Sequence, residues 1–355
     1  ANMWRRLNGA FWEGVRDLSP AYFALVMATG IVSIACHFLG MDFLAYPLFY
    51  LNQFFYLVLW LLTLGRLFRF SSHLLADLVD HSRGVGFLTL VAGTNVLGSQ
   101  FVLLASNQRA AMTLWIVGLA LWLVLIFTFF TVMTVKEQKP SLEAGINGAW
   151  MLTVVSTQSI AVLGALVAEN FAAWREAFFF ALLCFYLLGC MLYILIISLI
   201  LYRFMFFKFD PQAMTPPYWI NMGAIAITTL AGANLLLKGN AEFLTSLAPF
   251  IKGFTIFFWA AGTWWIPLLL LLGAWRHIYK RYPLTYHPLY WGMVFPIGMY
   301  TACTYQLSKA LNLPFLLVIP RFFIYLALLA WTAALVGLLY SQVERTIRAL
   351  RGKVH

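Results

Sequence analysis

Charge is what this chain has least of. Only 10% of its residues are Asp, Glu, Lys or Arg, and none sits in the middle of a long apolar stretch. That argues against a proton relay through an intramembrane acid, and against a carboxylate ring gripping a bare cation. Cysteine is scarce as well. Cys36, Cys184, Cys190 and Cys303 all fall inside apolar stretches, at spacings that suit neither a metal site nor a disulfide framework, and they read as small apolar packers. There is no HExxH, no paired acid and base, and no histidine cluster. No metal, no cofactor and no enzymatic activity are therefore expected. Long soluble segments are missing too. Despite a formal net charge of +11, the chain offers no solvated basic face for nucleic acid.

What is present is apolar. Of 355 residues, 63% are hydrophobic and the mean hydropathy is +0.85, more than a soluble protein of this length can bury. Ten stretches read as membrane-spanning helices: 20–39, 46–68, 84–104, 110–135, 146–168, 177–204, 215–237, 250–275, 287–308 and 318–342. Short connections make neighbouring spans antiparallel hairpins. Residues 1–19 mix Arg5, Arg6, Glu13, Arg16 and Asp17 with Trp4, Phe11 and Trp12. They read as a surface-lying amphipathic lead-in, not as a cleavable signal. Residues 20–342 form the transmembrane domain, and 343–355 a basic tail.

Lys and Arg are unevenly shared. The amino end, the tail and the loops after spans two, four, six and eight carry 17; the other side carries 6. Both termini are therefore expected in the cytoplasm, with the protein integral to the cell (inner or plasma) membrane. Each odd span opens on an aromatic: Phe23, Phe87, Trp150, Trp219 and Trp291. The near-constant separation suggests five repeated hairpins. Pro20, Pro217 and Pro288 precede three of these aromatics.

Odd and even spans differ in kind. Odd spans hold most of the glycines and the polar side chains: Thr94, Asn95 and Gln100; Ser156, Thr157, Gln158 and Ser159; Thr228, Thr229 and Asn234; and Thr301. Even spans are Leu, Phe and Trp. Small residues let helices approach closely, and hydroxyls or amides in hydrocarbon must face protein or water. The expected fold is all-α and polytopic, with ten helices as five hairpins. Odd helices line an uncharged pore, and even helices face lipid.

Such a pore suits anions. Each odd helix turns its positive N-terminal end toward the cytoplasm. Arg66, Arg83, Arg276 and Arg281 near the span ends would raise the local anion concentration. Pro296 removes a backbone donor in the ninth span and is expected to kink it, turning Phe295 toward the axis. The matching positions in the other odd spans are Met27, Val91, Val154 and Gly223, so Phe295 would be the one aromatic plug. The segment SSHLLADLVDHSR between spans two and three reads as a short surface helix.

The runs WGMVFPIGMY, LSPAYFALVMATGIVS and INGAWMLTVVSTQSIAVLG resemble the tellurite-resistance/dicarboxylate transporter family. That family includes plant slow-type anion channels, bacterial tellurite-resistance channels, fungal malate permeases and sulfite pumps. The resemblance implies ten helices in five hairpins with quasi-five-fold symmetry, a central pore from the odd helices, a homotrimer with one pore per subunit, and closure of the pore by the ninth-helix phenylalanine, here Phe295. It also implies transport of malate, succinate or other C4-dicarboxylates, or of small inorganic anions, with sulfite export as the alternative. Small anionic solutes and membrane lipid are the partners expected.

Overall fold

In the computed structural model, which describes residues 2–351, the chain is helical throughout, and there is no strand among the described residues. α1 (Asn2–Arg16) precedes five helix pairs: α2 (Ala24–Phe38) with α3 (Asp42–Arg69), α5 (Thr89–Ala105) with α6 (Gln108–Val135), α8 (Leu152–Val167) with α9 (Arg175–Phe206), α10 (Ile220–Lys238) with α11 (Glu242–Ala274), and α12 (Trp291–Leu311) with α13 (Val318–Leu350). α4 (Ser71–Leu78) and the single turn α7 (Leu142–Gly145) lie in connections. Each first member of a pair starts with a 3-10 turn, and three of the five starts are capped by a side chain. Ser19, Asn147 and His287 accept from the backbone N–H two residues on, at 3.3, 2.8 and 3.2 Å. The prolines seen in the sequence fall in these first turns, where the missing N–H costs nothing. α5 and α12 end on Ser106 and Asn312 in left-handed conformation.

Burial sorts the helices into two sets. The most apolar stretches of α2, α5 and α10, each with its leading turn, are 78%, 83% and 89% buried, against 22%, 28%, 22% and 17% for α3, α6, α11 and α13. Every residue of α8 is buried. Each inner helix packs on the next, α2 on α5, α5 on α8, α8 on α10, α10 on α12 and α12 back on α2, so the five close a ring. The outer helices show Phe, Leu and Trp outward, as lipid-facing surfaces must. By length and composition eight segments among the described residues qualify to cross a membrane. One of them, Gly148–Phe206, holds both α8 and α9, divided near Phe171 at φ −113°. α12 is not among the eight because its tyrosines, threonines and Gln306 make it less apolar, which an inner helix tolerates.

The outer helices extend past the expected span limits. α3 begins at Asp42, α11 at Glu242 with Pro249 inside it, and α13 runs on to Leu350. α1 lies against α3 and α13.

Two kinds of contact tie the rings together. Outer aromatics bond inner threonines: Trp122 Nε1 donates to Thr157, Trp259 Nε1 to Thr304 and Trp331 Nε1 to Thr29, each at 3.0 Å, and the Tyr56 and Thr94 hydroxyls are also 3.0 Å apart. In addition, inner amides sit over outer glycines. Asn95 fills the space above Gly118, and Gln158 that above Gly189 while donating to the Tyr186 carbonyl at 2.9 Å. A side chain at either glycine would take the amide's place.

Candidate functional site

Two cavities each touch all five inner helices, one toward either end of the ring. The larger, of about 1030 Å³, touches the start of all five, at Tyr22, Gly86, Ala149, Pro217 and Leu289. The smaller, of about 20 Å³, lies toward their C-terminal ends and again touches all five, at Ile34, Ser99, Ser159, Asn234 and Met299. Phe295 is fully buried on α12, six residues beyond Leu289 and four before Met299. At helical rise these are about 9 Å and about 6 Å along the axis. Met27, Val91 and Val154, its expected level-mates, are buried too, and Gly223 lets the Pro296 ring come close. A Cβ at Gly223 would be 2.7 Å from Pro296 Cγ. α12 runs as continuous helix through Pro296.

The polar side chains read from the sequence divide between two surfaces. Asn95 and Ser159 bond each other at 2.9 Å and border the smaller cavity, as does Asn234, which donates to the Val162 carbonyl at 3.3 Å. Thr94, Thr157 and Gln158 instead meet Tyr56, Trp122 and Tyr186 of the outer helices, and Gln100 accepts from Asn52 Nδ2 at 2.7 Å. Ser156, Thr228, Thr229 and Thr301 donate to carbonyls of their own helices. Ser99 and Gln306 also border the smaller cavity.

Of the four arginines singled out, Arg83 borders the larger cavity. Arg66 is buried and bonds the Arg16 carbonyl at 2.9 Å and Asp77 at 2.6 Å. Arg276 is buried over the Tyr282 ring, 4.3 Å from its centroid, and Arg281 is exposed with φ 52°. Asp77, in α4, thus sits between Arg66 and Arg83, whose Nε is 2.6 Å away. No group of three or more His, Cys, Asp or Glu side chains able to hold a metal occurs among the described residues.

Burial alone would raise the Asp77 carboxyl, but the bonds from Arg83 and Arg66 outweigh it and hold its pKa below the ordinary value. A depressed carboxylate stabilises the fold at neutral pH and loses that contribution as pH falls through its folded value, on the acid side of the ordinary carboxylate range. Thermal melting in detergent is therefore expected to drop with acid in this range. Asp77→Asn should remove that part of the drop and cost about 3 kcal/mol at pH 7, because Arg66 stays buried without its partner. A melting profile unchanged by the substitution refutes the pairing.

Sequence reasoning missed Tyr22 and Tyr286, which also line the larger cavity. Only the aromatic richness of the segments around them hinted at either.

A closed ring of polar-dotted helices, sleeved by apolar ones and flanked by two cavities, is the build of a membrane transport protein. Residues 17–339 match the family model of the voltage-dependent anion channels (SLAC1), and the chain belongs to that family. It is thus an anion transporter, in line with the resemblance read from the sequence. An uncharacterized transporter of Methanocaldococcus jannaschii is 25% identical, over 83% of this chain and 86% of its own. A sulfite efflux pump of Trichophyton rubrum is 22% identical, over 95% and 94%. An uncharacterized membrane protein of Mycobacterium tuberculosis is 38% identical over 42% of this chain and 76% of its own.

Proposed function

We propose that the five inner helices surround an anion path joining the two cavities, and that Phe295, backed by Pro296, closes it. All ten long helices then span the bilayer as five quasi-symmetric hairpins, and the large cavity faces the cytoplasm with both chain ends. Residues 1–19 form the surface lead-in and 343–355 the tail, of which 352–355 lie outside the described residues. The observation that carries this reading is that all five inner helices contribute to each cavity while a fully buried aromatic lies on the ring between them.

The helix starts turn their positive ends to the large cavity. The path itself has hydroxyls and amides but no fixed charge, so anions are drawn in and held weakly, which favours throughput. The transported species are C4-dicarboxylates such as malate and succinate, or small inorganic anions. Sulfite export is the second reading, favoured by the sulfite efflux pump that aligns along nearly the whole chain. The family resemblance adds a homotrimer with one path per subunit.

Flux into liposomes containing the purified protein, measured with chloride, nitrate, sulfite, malate and succinate, tests the function. At least one anion is expected to move well above empty liposomes. Flux of none of them, by correctly folded protein, refutes the reading; the ranking chooses between dicarboxylate and sulfite.

A further inference from the structure

The large cavity holds two phenols and an arginine that the conduction path does not use. Tyr22, in the turn before α2, and Tyr286, in the loop before α12, both border it, with hydroxyls 3.3 Å apart. Trp291 Nε1 donates to the Tyr286 hydroxyl at 3.1 Å. The Tyr286 ring is seated on Gly337 of α13, where a Cβ would come within 2.7 Å of it. Packing therefore fixes the pair.

Hydrogen accounting leaves one donor over. Each phenol carries one hydrogen, and the indole N–H only donates. The single bond between the hydroxyls spends one of their two hydrogens, whichever way it points. The other O–H remains for something in the cavity.

Arg345, near the end of α13, borders the same cavity. Its guanidinium lies beside Gly14 of α1, and its one hydrogen bond among the described residues is a long one, 3.5 Å to the Ala10 carbonyl. Asp17, which also borders the cavity, lies near enough to feel the Arg345 charge, yet the two form no ion pair, and the neighbouring acids are each bonded to another arginine. Asp17 is held by Arg16 at 2.8 Å, Glu344 by Arg348, and Asp77 by Arg66 and Arg83. Among the described residues no carboxylate pairs with Arg345.

We propose that Arg345 and the Tyr22–Tyr286 pair form a capture subsite for oxyanions ahead of the ring. A guanidinium fork matches two oxygens of a sulfite or carboxylate, and the spare phenolic O–H reaches a third or shares one. A chloride ion has no such set of acceptors. The inference rests on the conduction reading and narrows its substrates to multi-oxygen anions over halides.

The test is flux against concentration for sulfite and for chloride in liposomes. It compares the wild type with Tyr22→Phe, Tyr286→Phe, the double phenylalanine variant, Arg345→Gln and Arg345→Lys. Either single tyrosine variant still has one spare O–H, so its half-saturating sulfite concentration should stay within about threefold of wild type. The double variant and Arg345→Gln should each raise it about tenfold, the loss expected for a hydrogen bond to a charged group. Arg345→Lys should fall between. Chloride flux, unchanged throughout, verifies that each variant is folded and open. The subsite is overturned if a single tyrosine variant loses as much as the double, if sulfite and chloride shift together, or if nothing shifts while the wild type conducts. A wild type that moves neither anion overturns the conduction reading beneath it.

Discussion

Phe295→Ala is expected to raise anion flux at least about tenfold. The ring is fully buried on α12 between the two cavities, and its level-mates on the other inner helices are a methionine, two valines and a glycine. An apolar constriction blocks ions by excluding water. Removing the one aromatic lets water bridge the cavities, and each 1.4 kcal/mol taken from the barrier is worth about tenfold in rate. Were Phe295 ordinary core, its loss would instead leave a cavity and cost about 3–5 kcal/mol of stability. Flux and melting temperature, measured on the same preparations, separate these outcomes. A variant that folds, melts lower and conducts no better makes Phe295 a packing residue. Phe295→Trp, by the same argument, should stay closed.

The largest stability effect is expected at Gly189. A Cβ there would land on the Gln158 side-chain amide and lie 2.8 Å from its Cγ. Gln158 is fully buried and bonded to the Tyr186 carbonyl, so it has nowhere to retreat without leaving a polar group unpaired. Gly189→Leu combines that loss with overpacking, together about 3 kcal/mol or more. Gly253, on outer helix α11, is the control, because nothing lies within 4 Å of a Cβ there. Gly253→Leu should be neutral or slightly stabilising through helix propensity. Equal melting temperatures for the two leucine variants would refute the proposed packing of inner amides on outer glycines.

The division into two helix sets was readable because it rests on composition. Glycines and amides gather on alternate apolar stretches, and those stretches are the inner ring. Which way each polar side chain turns was not readable. Gln158 and Ser159 are neighbours in sequence, yet adjacent positions point about 100° apart on a helix. Gln158 reaches the outer helix, while Ser159 borders the small cavity. A helix buried on every side carries no amphipathic stripe to tell the two directions apart. Arg66 and Arg83 looked alike as span-end cations. Their separation into a buried pair member and a cavity residue depends on Asp77, which α4 brings to both. Tyr286 was hidden for another reason: it sits in an irregular loop, and its seat is a glycine about fifty residues further along.

Four of the joints between neighbouring inner helices are bridged by the chain as it passes from one pair to the next. The fifth, α12 and α13 against α2, is made by packing and by side-chain bonds, Trp331–Thr29 and Tyr22–Tyr286 among them. The first and last helices, α1 and α13, lie together beside it. The molecule is thus a circle cut at one arbitrary place. A circularly permuted gene, with the old ends linked and new ones opened in the connection between α6 and α8, should yield the same ring.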